Sequence, residues 1–339
     1  MRGREPPCYR ELEKSMKKAY MLKRILMAIA IYLVILVLDF MLPRLMPGDP
    51  AQPYYPAGAS EEMKEEIRES LGYSGTIGEQ FVKYWSNVFK GDFGNSVTYK
   101  KPVFEVVFDK LPWTLALTVT SLLINVIIGT LIGAYCATKR GKGPDNVLMA
   151  ASSVTTALPA FWIAMVLVMI FGYGLKWLPT GGRLDRGMGN WQWNGRYIAS
   201  LARHMILPLI SGCIGGIVSY AMNARNSMIA VTSDDYIMTA KAKGLSNKTV
   251  LYKHTLRNAM LPIITSVGTG VAGLIGGSVV VEQIFNWDGM GTLFQDANST
   301  KDYNLMIAIM MMMSALTLIC NLIVDFLYSV FDPRVKDGK

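Results

Sequence analysis

Residues 234–262 read DDYIMTAKAKGLSNKTVLYKHTLRNAMLP. Charges recur every few positions, small alanines fall between them, one glycine sits in the middle and a proline closes the stretch. Long apolar runs flank it on both sides. The spacing predicts its shape. Ser233 or Asp234 caps a short helix reaching about Lys243, with acidic charge at the positive end of the helix dipole. Gly244 supplies the left-handed residue that ends it. Ser246 caps a second helix that runs to Pro262, where the next apolar run begins. Thr239, Ala240 and Lys243, at i, i+1 and i+4, make one face small and nearly flat, so that another protein's surface can come close.

Working outward, the chain of 339 residues is 51% hydrophobic and 17% charged, with mean hydropathy +0.29. Soluble domains carry about 25% charged residues, so the balance points to a membrane protein. Six runs are long enough to cross a hydrocarbon core ~30 Å thick, which takes about 20 helical residues. They lie near 22–42, 113–137, 146–173, 205–225, 262–284 and 304–330. The first exceeds a signal-peptide core, and the LPRLMPGDP that follows offers no small-residue cleavage site. The expected organisation is an N-terminal segment 1–21, a first span 22–42, an external helical segment 43–112, a five-span core 113–330 that includes the loop 233–261, and a tail 331–339.

Basic residues orient these spans. The first 24 residues hold eight Lys and Arg, KRGKGPD at 139–145 holds three, 225–261 holds six and the tail three. The short loops 174–204 and 285–303 hold five and one, and 43–112 is too long to count. Both termini and the opening stretch are therefore expected on the cytoplasmic side of the plasma membrane. The net charge of +9 is read as cytoplasmic loops and lipid contact rather than a nucleic-acid surface.

Within the spans, Gly129 and Gly133, Gly212 and Gly216, and Gly273 and Gly277 are each four apart, a spacing that lets helices approach closely in lipid. Pro159 and Pro208 are expected to kink or bound their spans. Asn125, Thr155 and Thr156 lie near mid-membrane, where polar groups face the bundle interior or a wet path. Interhelical hydrogen bonding and pathway lining both fit them. Asp39, Glu282 and Asp325 sit near span ends and are expected to reach the interface, which leaves no mid-membrane carboxylate for a proton relay.

The segment 43–112 carries its own helix signals. Ser60 is a candidate N-cap before SEEMKEEIRES, with Glu65 and Arg68 at i,i+3. Thr76 and Glu79 have capping-box spacing, and Phe81, Trp85, Val88 and Phe89 share a face. KGDFGNSV at 90–97 reads as a turn. The aromatic NWQWNGRY at 190–197 reads as interfacial anchoring or loop packing, with ligand contact as the alternative.

Catalysis finds no support. Cys8, Cys136, Cys213 and Cys320 are scattered, and His204 and His254 are the two histidines, so neither a metal site nor a disulfide framework is expected. No G-x-x-x-x-G-K-[ST] loop occurs, so the chain has no Walker-type nucleotide site. A self-contained carrier would show internal repeats or interrupted helices around intramembrane charges.

At residues 234–262 the sequence resembles the cytoplasmic coupling loop of ABC-transporter permeases, in the form used by dipeptide, oligopeptide and nickel importers. The resemblance extends along the chain through LPRLMPGDPA, GDFGNSV, KPVFEVV, LPAFWIAMVLVMIF with WLPTGG, GGSVVVEQIFNWDGMGTLF and NLIVDFLYSVFDPRV. It implies an all-α, six-span type I importer permease of the first-permease kind, with a coupling helix between spans 4 and 5. The implied partners are a second similar permease, two cytoplasmic ATPases that bind ATP and magnesium, and an external binding protein. No cofactor belongs to this chain itself. Carried onto this sequence, the resemblance places Asp235, Tyr236, Thr239, Ala240, Ala242, Lys243, Gly244 and Leu245 against an ATPase. Where the broader importer pattern has Glu before the alanines, this chain has Met238 and Thr239. The implied cargo is peptides, with oligosaccharides or nickel as alternatives.

Overall fold

Twenty-eight-residue and longer helices dominate the architecture, and in the computed structural model the described residues are 7–45, 48–189, 192, 194–232, 235–246 and 249–331. The helices are α1 (Pro7–Leu45), α2 (Glu61–Leu71), α3 (Ile77–Phe89), α4 (Val103–Thr138), α5 (Gly143–Ala157), α6 (Ala160–Leu167), α7 (Gly195–Thr232), α8 (Asp235–Ala242), α9 (Arg257–Ile284), α10 (Met290–Ser299) and α11 (Tyr303–Phe331). A π-helical turn, Val168–Gly174, prolongs α6, and another, Val250–Leu256, leads into α9. Among the described residues, β pairing is confined to one isolated bridge between Asn95 and Pro102.

Four helices hold stretches long and apolar enough to cross a membrane: Met21–Leu45, Val103–Thr138, Gly195–Thr232 and Tyr303–Phe326. The 28 residues of α9 hold the expected fifth span, about 42 Å at 1.5 Å per residue. The expected third span is not one straight helix. Its two halves, Gly143–Ala157 and Ala160–Gly174, meet at 97°. The cause is local: Pro159 lacks an N–H and excludes the helical conformation from Leu158, whose ψ is 124°, so the chain turns before α6 restarts. Pro208, by contrast, lies inside α7 without ending it.

Glycine sets the central seam. A methyl at Gly129 would lie 2.7 Å from the Tyr220 Cβ, and one at Gly133 would lie 2.7 Å from the Ala224 Cβ. In return, Gly212 and Gly216 of α7 receive Ser121 and Asn125 of α4. The matches 121 to 212, 125 to 216, 129 to 220 and 133 to 224 keep one register, so α4 and α7 run parallel. Two parallel spans require the chain between them to cross back, which is the task of the bent α5–α6 pair. Gly273 and Gly277 fall where side-chain surroundings lie outside the described residues.

The segment between the first two spans folds as its caps predict. Ser60 Oγ accepts from Met63 N at 3.3 Å, the Thr76–Glu79 capping box closes, and Arg68 pairs with Glu65 at 3.1 Å. Arg68 also reaches back to Asp49, Nε to Oδ2 at 3.0 Å, while Ala51 N donates to Asp49 Oδ1 at 2.9 Å. Burial alone would raise the Asp49 carboxyl, but the bonds from Arg68, Tyr55 and Ala51 hold it below the usual carboxylate range. Helix α3 lays Tyr84, Trp85 and Val88 on Leu36, Ile307 and Met311, tying this segment to α1 and α11. Phe81 meets Phe40 edge-on at 5.1 Å. Phe89, expected on the same face, is 83% exposed; at the end of α3 its ring meets Trp85, with centroids 5.9 Å apart. The turn after Phe89 is pinned by Asp302, which accepts from Thr98 N at 3.2 Å.

Two carboxylates depart from expectation. Asp39 and Glu282 are 3% and 0% exposed rather than at an interface. Glu282 Oε2 accepts from Gly291 N at 2.6 Å, and glycine is required at 289 and 291 because a Cβ there would lie within 2.9 Å of that oxygen. Asp325 pairs with Arg24 at 3.3 Å.

Candidate functional site

The stretch quoted at the outset forms a knob at the end of the bundle where α4 and α7 finish and α9 begins. Residues 233–234, expected to cap its first helix, and Asn247–Lys248 lie outside the described residues, as do Asn190, Trp191 and Trp193 of the aromatic loop. Helix α8 spans Asp235–Ala242. Gly244 then takes φ +75°, and Lys243 N and Leu245 N fold back onto the carbonyls of Thr239 and Ala240. This closes the helix in the way a left-handed terminal residue does. Ser246 Oγ accepts from Thr249 N at 3.3 Å and so starts the second helical stretch. That stretch was expected to stop at Pro262. It instead runs without a break from the π-helical turn through α9, with Pro262 inside the helix, where its missing N–H removes one bond, that to the Asn258 carbonyl. Thr255 Oγ1 donates to the Val250 carbonyl five residues back, at 3.1 Å, which suits the wider turn.

The knob has an inner and an outer face. Ile237 (0% exposed) and Ala240 point inward and meet Val250 and Val231. Asn258 Nδ2 donates to the Tyr236 hydroxyl at 2.6 Å, a second tie between α8 and α9. Beneath them Ala134 of α4, Met228 of α7 and Ala259 of α9 form one buried cluster, with Leu251 and Leu256 against it. Asp235, Tyr236, Thr239, Ala242, Lys243, Gly244 and Leu245 are exposed, as is Met238. The residues expected to meet a partner therefore share the outer face, except Ala240, which is turned toward the bundle. A nearby clamp steadies this end: the buried carboxylate of Asp145 accepts from Arg225 Nη2 at 2.8 Å and from Gly141 N at 2.9 Å.

Deeper in the bundle, a cavity of about 200 Å³ opens between α4, the α5–α6 elbow, α7 and α9. Its lining is apolar, broken by the hydroxyls of Thr118, Ser121, Thr155, Ser211 and Ser278 and by the bare backbone of Gly212, Gly215 and Gly216. No charged residue lines it. Thr155 is thus placed on a cavity wall, and its hydroxyl also donates to the Ala151 carbonyl at 2.9 Å. Asn125 is 1% exposed in the α4–α7 seam against Gly216, one layer behind the wall. Thr156 is exposed on the far side of α5 and donates to the Ser152 carbonyl at 2.8 Å. Thr118, Ser121, Ser211 and Ser278 are not legible in the sequence, because single hydroxyls in apolar runs carry no periodic signal.

At the opposite end, three distant stretches are clasped together. Trp287 Nε1 donates to the Trp113 carbonyl at 3.2 Å, Arg183 lies 3.8 Å over the Trp113 ring, and Lys110 pairs with Asp288 at 2.6 Å. Gly182 N donates to the Phe285 carbonyl at 2.7 Å. Among the described residues, no group of three or more His, Cys, Asp or Glu side chains is placed to hold a metal ion.

A multi-pass helical bundle with an internal cavity at its centre and an exposed, firmly rooted knob at one end has the build of a membrane transport subunit. Comparison with known proteins makes this particular. The chain matches the binding-protein-dependent transport system inner membrane component over residues 129–337 and the N-terminal part of such membrane components over residues 17–118. It belongs to that family. It is 37% identical over 322 residues to the oligopeptide transport system permease protein AppB of Bacillus subtilis (strain 168), covering 94% of this chain and 99% of that protein. The glutathione transport system permease protein GsiC of Escherichia coli (strain K12) is 36% identical over 319 residues, 94% of this chain and 98% of that protein. Among solved structures, the inward-facing MetNI methionine ABC transporter shares the fold. It aligns with a TM-score of 0.52 over 68% of this chain and 97% of that one, at 14% identity.

Proposed function

We propose that the chain is one of two permease subunits of an ATP-driven importer of short peptides, worked from the cytoplasm through the α8 knob. The observation that carries this is the two-faced knob. Its outer face, Asp235, Thr239, Ala242 and Lys243, is free for a partner, while Ile237 and Ala240 root it on the ends of α4, α7 and α9. A push on the outer face passes into three spans at once. The knob's basic flanks favour a cytoplasmic position, which puts both termini inside. Two ABC ATPases supply the push by binding ATP and magnesium, a second permease completes the pathway, and an external binding protein delivers cargo.

Peptide cargo is supported by the relatives named for oligopeptide and glutathione transport. The cavity suits that cargo. Its hydroxyls offer hydrogen bonds common to every peptide unit, and an uncharged wall favours neither acidic nor basic side chains. The test is a gentle-detergent pull-down from native membranes with mass spectrometry of what co-purifies. Two ATPases, a second permease and a binding protein that retains peptides are expected. A chain recovered alone, under conditions in which comparable complexes survive, overturns the reading.

A further inference from the structure

A second cavity, of about 110 Å³, lies in the segment between the first two spans, apart from the knob and the central cavity. It is unlike the central one. Its polar lining includes Arg44, Lys83, Tyr73, Asn87, Asn304 and Asp92. We propose that it is a binding site for a small monocarboxylate.

The first argument is the unused donors. Arg44 donates through Nε to Gln80 at 2.8 Å and through Nη1 to the Phe40 carbonyl at 2.8 Å, with its plane 3.6 Å over the Phe40 ring. The ring and these two bonds fix the guanidinium, while Nη2 donates to none of the described residues. A fixed guanidinium with an open edge is pre-organised for a planar carboxylate. Lys83 is held by one bond to the Glu69 carbonyl at 2.6 Å and keeps two further N–H groups. The side-chain amides of Asn87 and Asn304 add neutral donors to the same lining.

Charge narrows the ligand. Two cations and one carboxylate line the cavity, and Asp92 is engaged by Gly94 N at 2.9 Å. The lining is therefore left with one positive charge in excess, matched to a monoanion rather than to a phosphate dianion. The walls are also built to keep the space. Gly94 has φ +77°, and a Cβ there would lie 2.9 Å from the Asn304 amide nitrogen. Glycine at 94 lets the turn close over Asn304 while leaving the amide in place. The carboxylate has two possible sources, the C-terminus of a short peptide or a free small acid. The site stands on geometry alone and is independent of the importer reading.

The experiment uses the full chain in lipid nanodiscs and follows saturation-transfer NMR of glycylglycine, acetate and glycylglycinamide, with inorganic phosphate, which has no non-exchanging proton to observe, added as a competitor. Glycylglycine and acetate are expected to bind saturably, the amide to give no saturable signal, and equimolar phosphate to leave the acetate signal in place. Stronger binding of glycylglycine than acetate assigns the site to peptide termini, and equal binding assigns it to free acids. Lys83→Gln changes an exposed side chain and is expected to weaken both ligands up to about fivefold, the range of a solvent-exposed charge. Asn304→Leu, which keeps the charge count, is expected to weaken them as well. Equal binding of the amide, or wild-type affinity in both variants, overturns the proposal.

Discussion

Ile237→Ala separates the rooting of the knob from its outer surface. Ile237 has no exposed area and packs with Ala240 on Val231 and Val250. The eight residues of α8 are too few to hold a helix unaided in water, so docking keeps them in place. Truncating a buried Ile to Ala costs about 2–5 kcal/mol when the site cannot collapse. Applied to docking alone, that is roughly a 30- to 4,000-fold loss in the docked population. The transmembrane seams are untouched, so insertion, yield and melting temperature of the bundle should stay near wild type. In liposomes holding the permease pair, ATPases and binding protein, cargo uptake should fall more than tenfold, and cargo should no longer stimulate ATP hydrolysis. Met238→Ala, at a 64% exposed neighbour, controls for loss of surface area. Wild-type uptake in Ile237→Ala would show that force does not pass through this contact.

Other perturbations probe other links. Gly244→Pro places a residue locked near φ −65° where the chain needs +75°, so coupled uptake should be abolished while the inserted protein still folds, as read by uptake and size-exclusion profile. Gly133→Val should force α4 from Ala221 and Ala224, where the obstacle is backbone. The cost should exceed the usual 1–3 kcal/mol of overpacking and appear as lost yield and a lower melting temperature. Asp49 is held below its ordinary pKa in the folded chain, so its contribution to stability is full above about pH 4, the unfolded value, and lost as pH falls through the folded value. Asp49→Asn should lower the melting temperature modestly at pH 7 and flatten its acid dependence below about pH 4.

What the sequence made legible was local. Ser60, Thr76 and Gly244 announce their caps because capping is decided within four residues. Gly129 and Gly133 announce the α4–α7 seam because the four-residue spacing already defines a stripe. Pro159 announced a kink but not its size, since 97° depends on what α4, α7 and α9 leave room for. The inward turn of Ala240 escaped because α8 has two small-residue faces, and only Val231 and Val250 decide which is covered. The burial of Glu282 is hidden in the sequence for the same reason. Its donor, Gly291, is nearby in sequence, yet the loop that presents it is held by Trp113 and Lys110, more than 170 positions away. The central cavity joins hydroxyls from four helices, and no window of sequence contains them together.

The central claim is that the outer face of α8 meets the ATPases, and site-directed cross-linking tests it most directly. Cysteines introduced one at a time as Thr239→Cys, Lys243→Cys and Ile237→Cys would be treated with a short bifunctional thiol reagent in the assembled transporter, with a cysteine in the ATPase groove. The account predicts cross-links from the exposed positions 239 and 243 and none from the buried position 237. A cross-link at 237 with silence at 239 and 243 would contradict it.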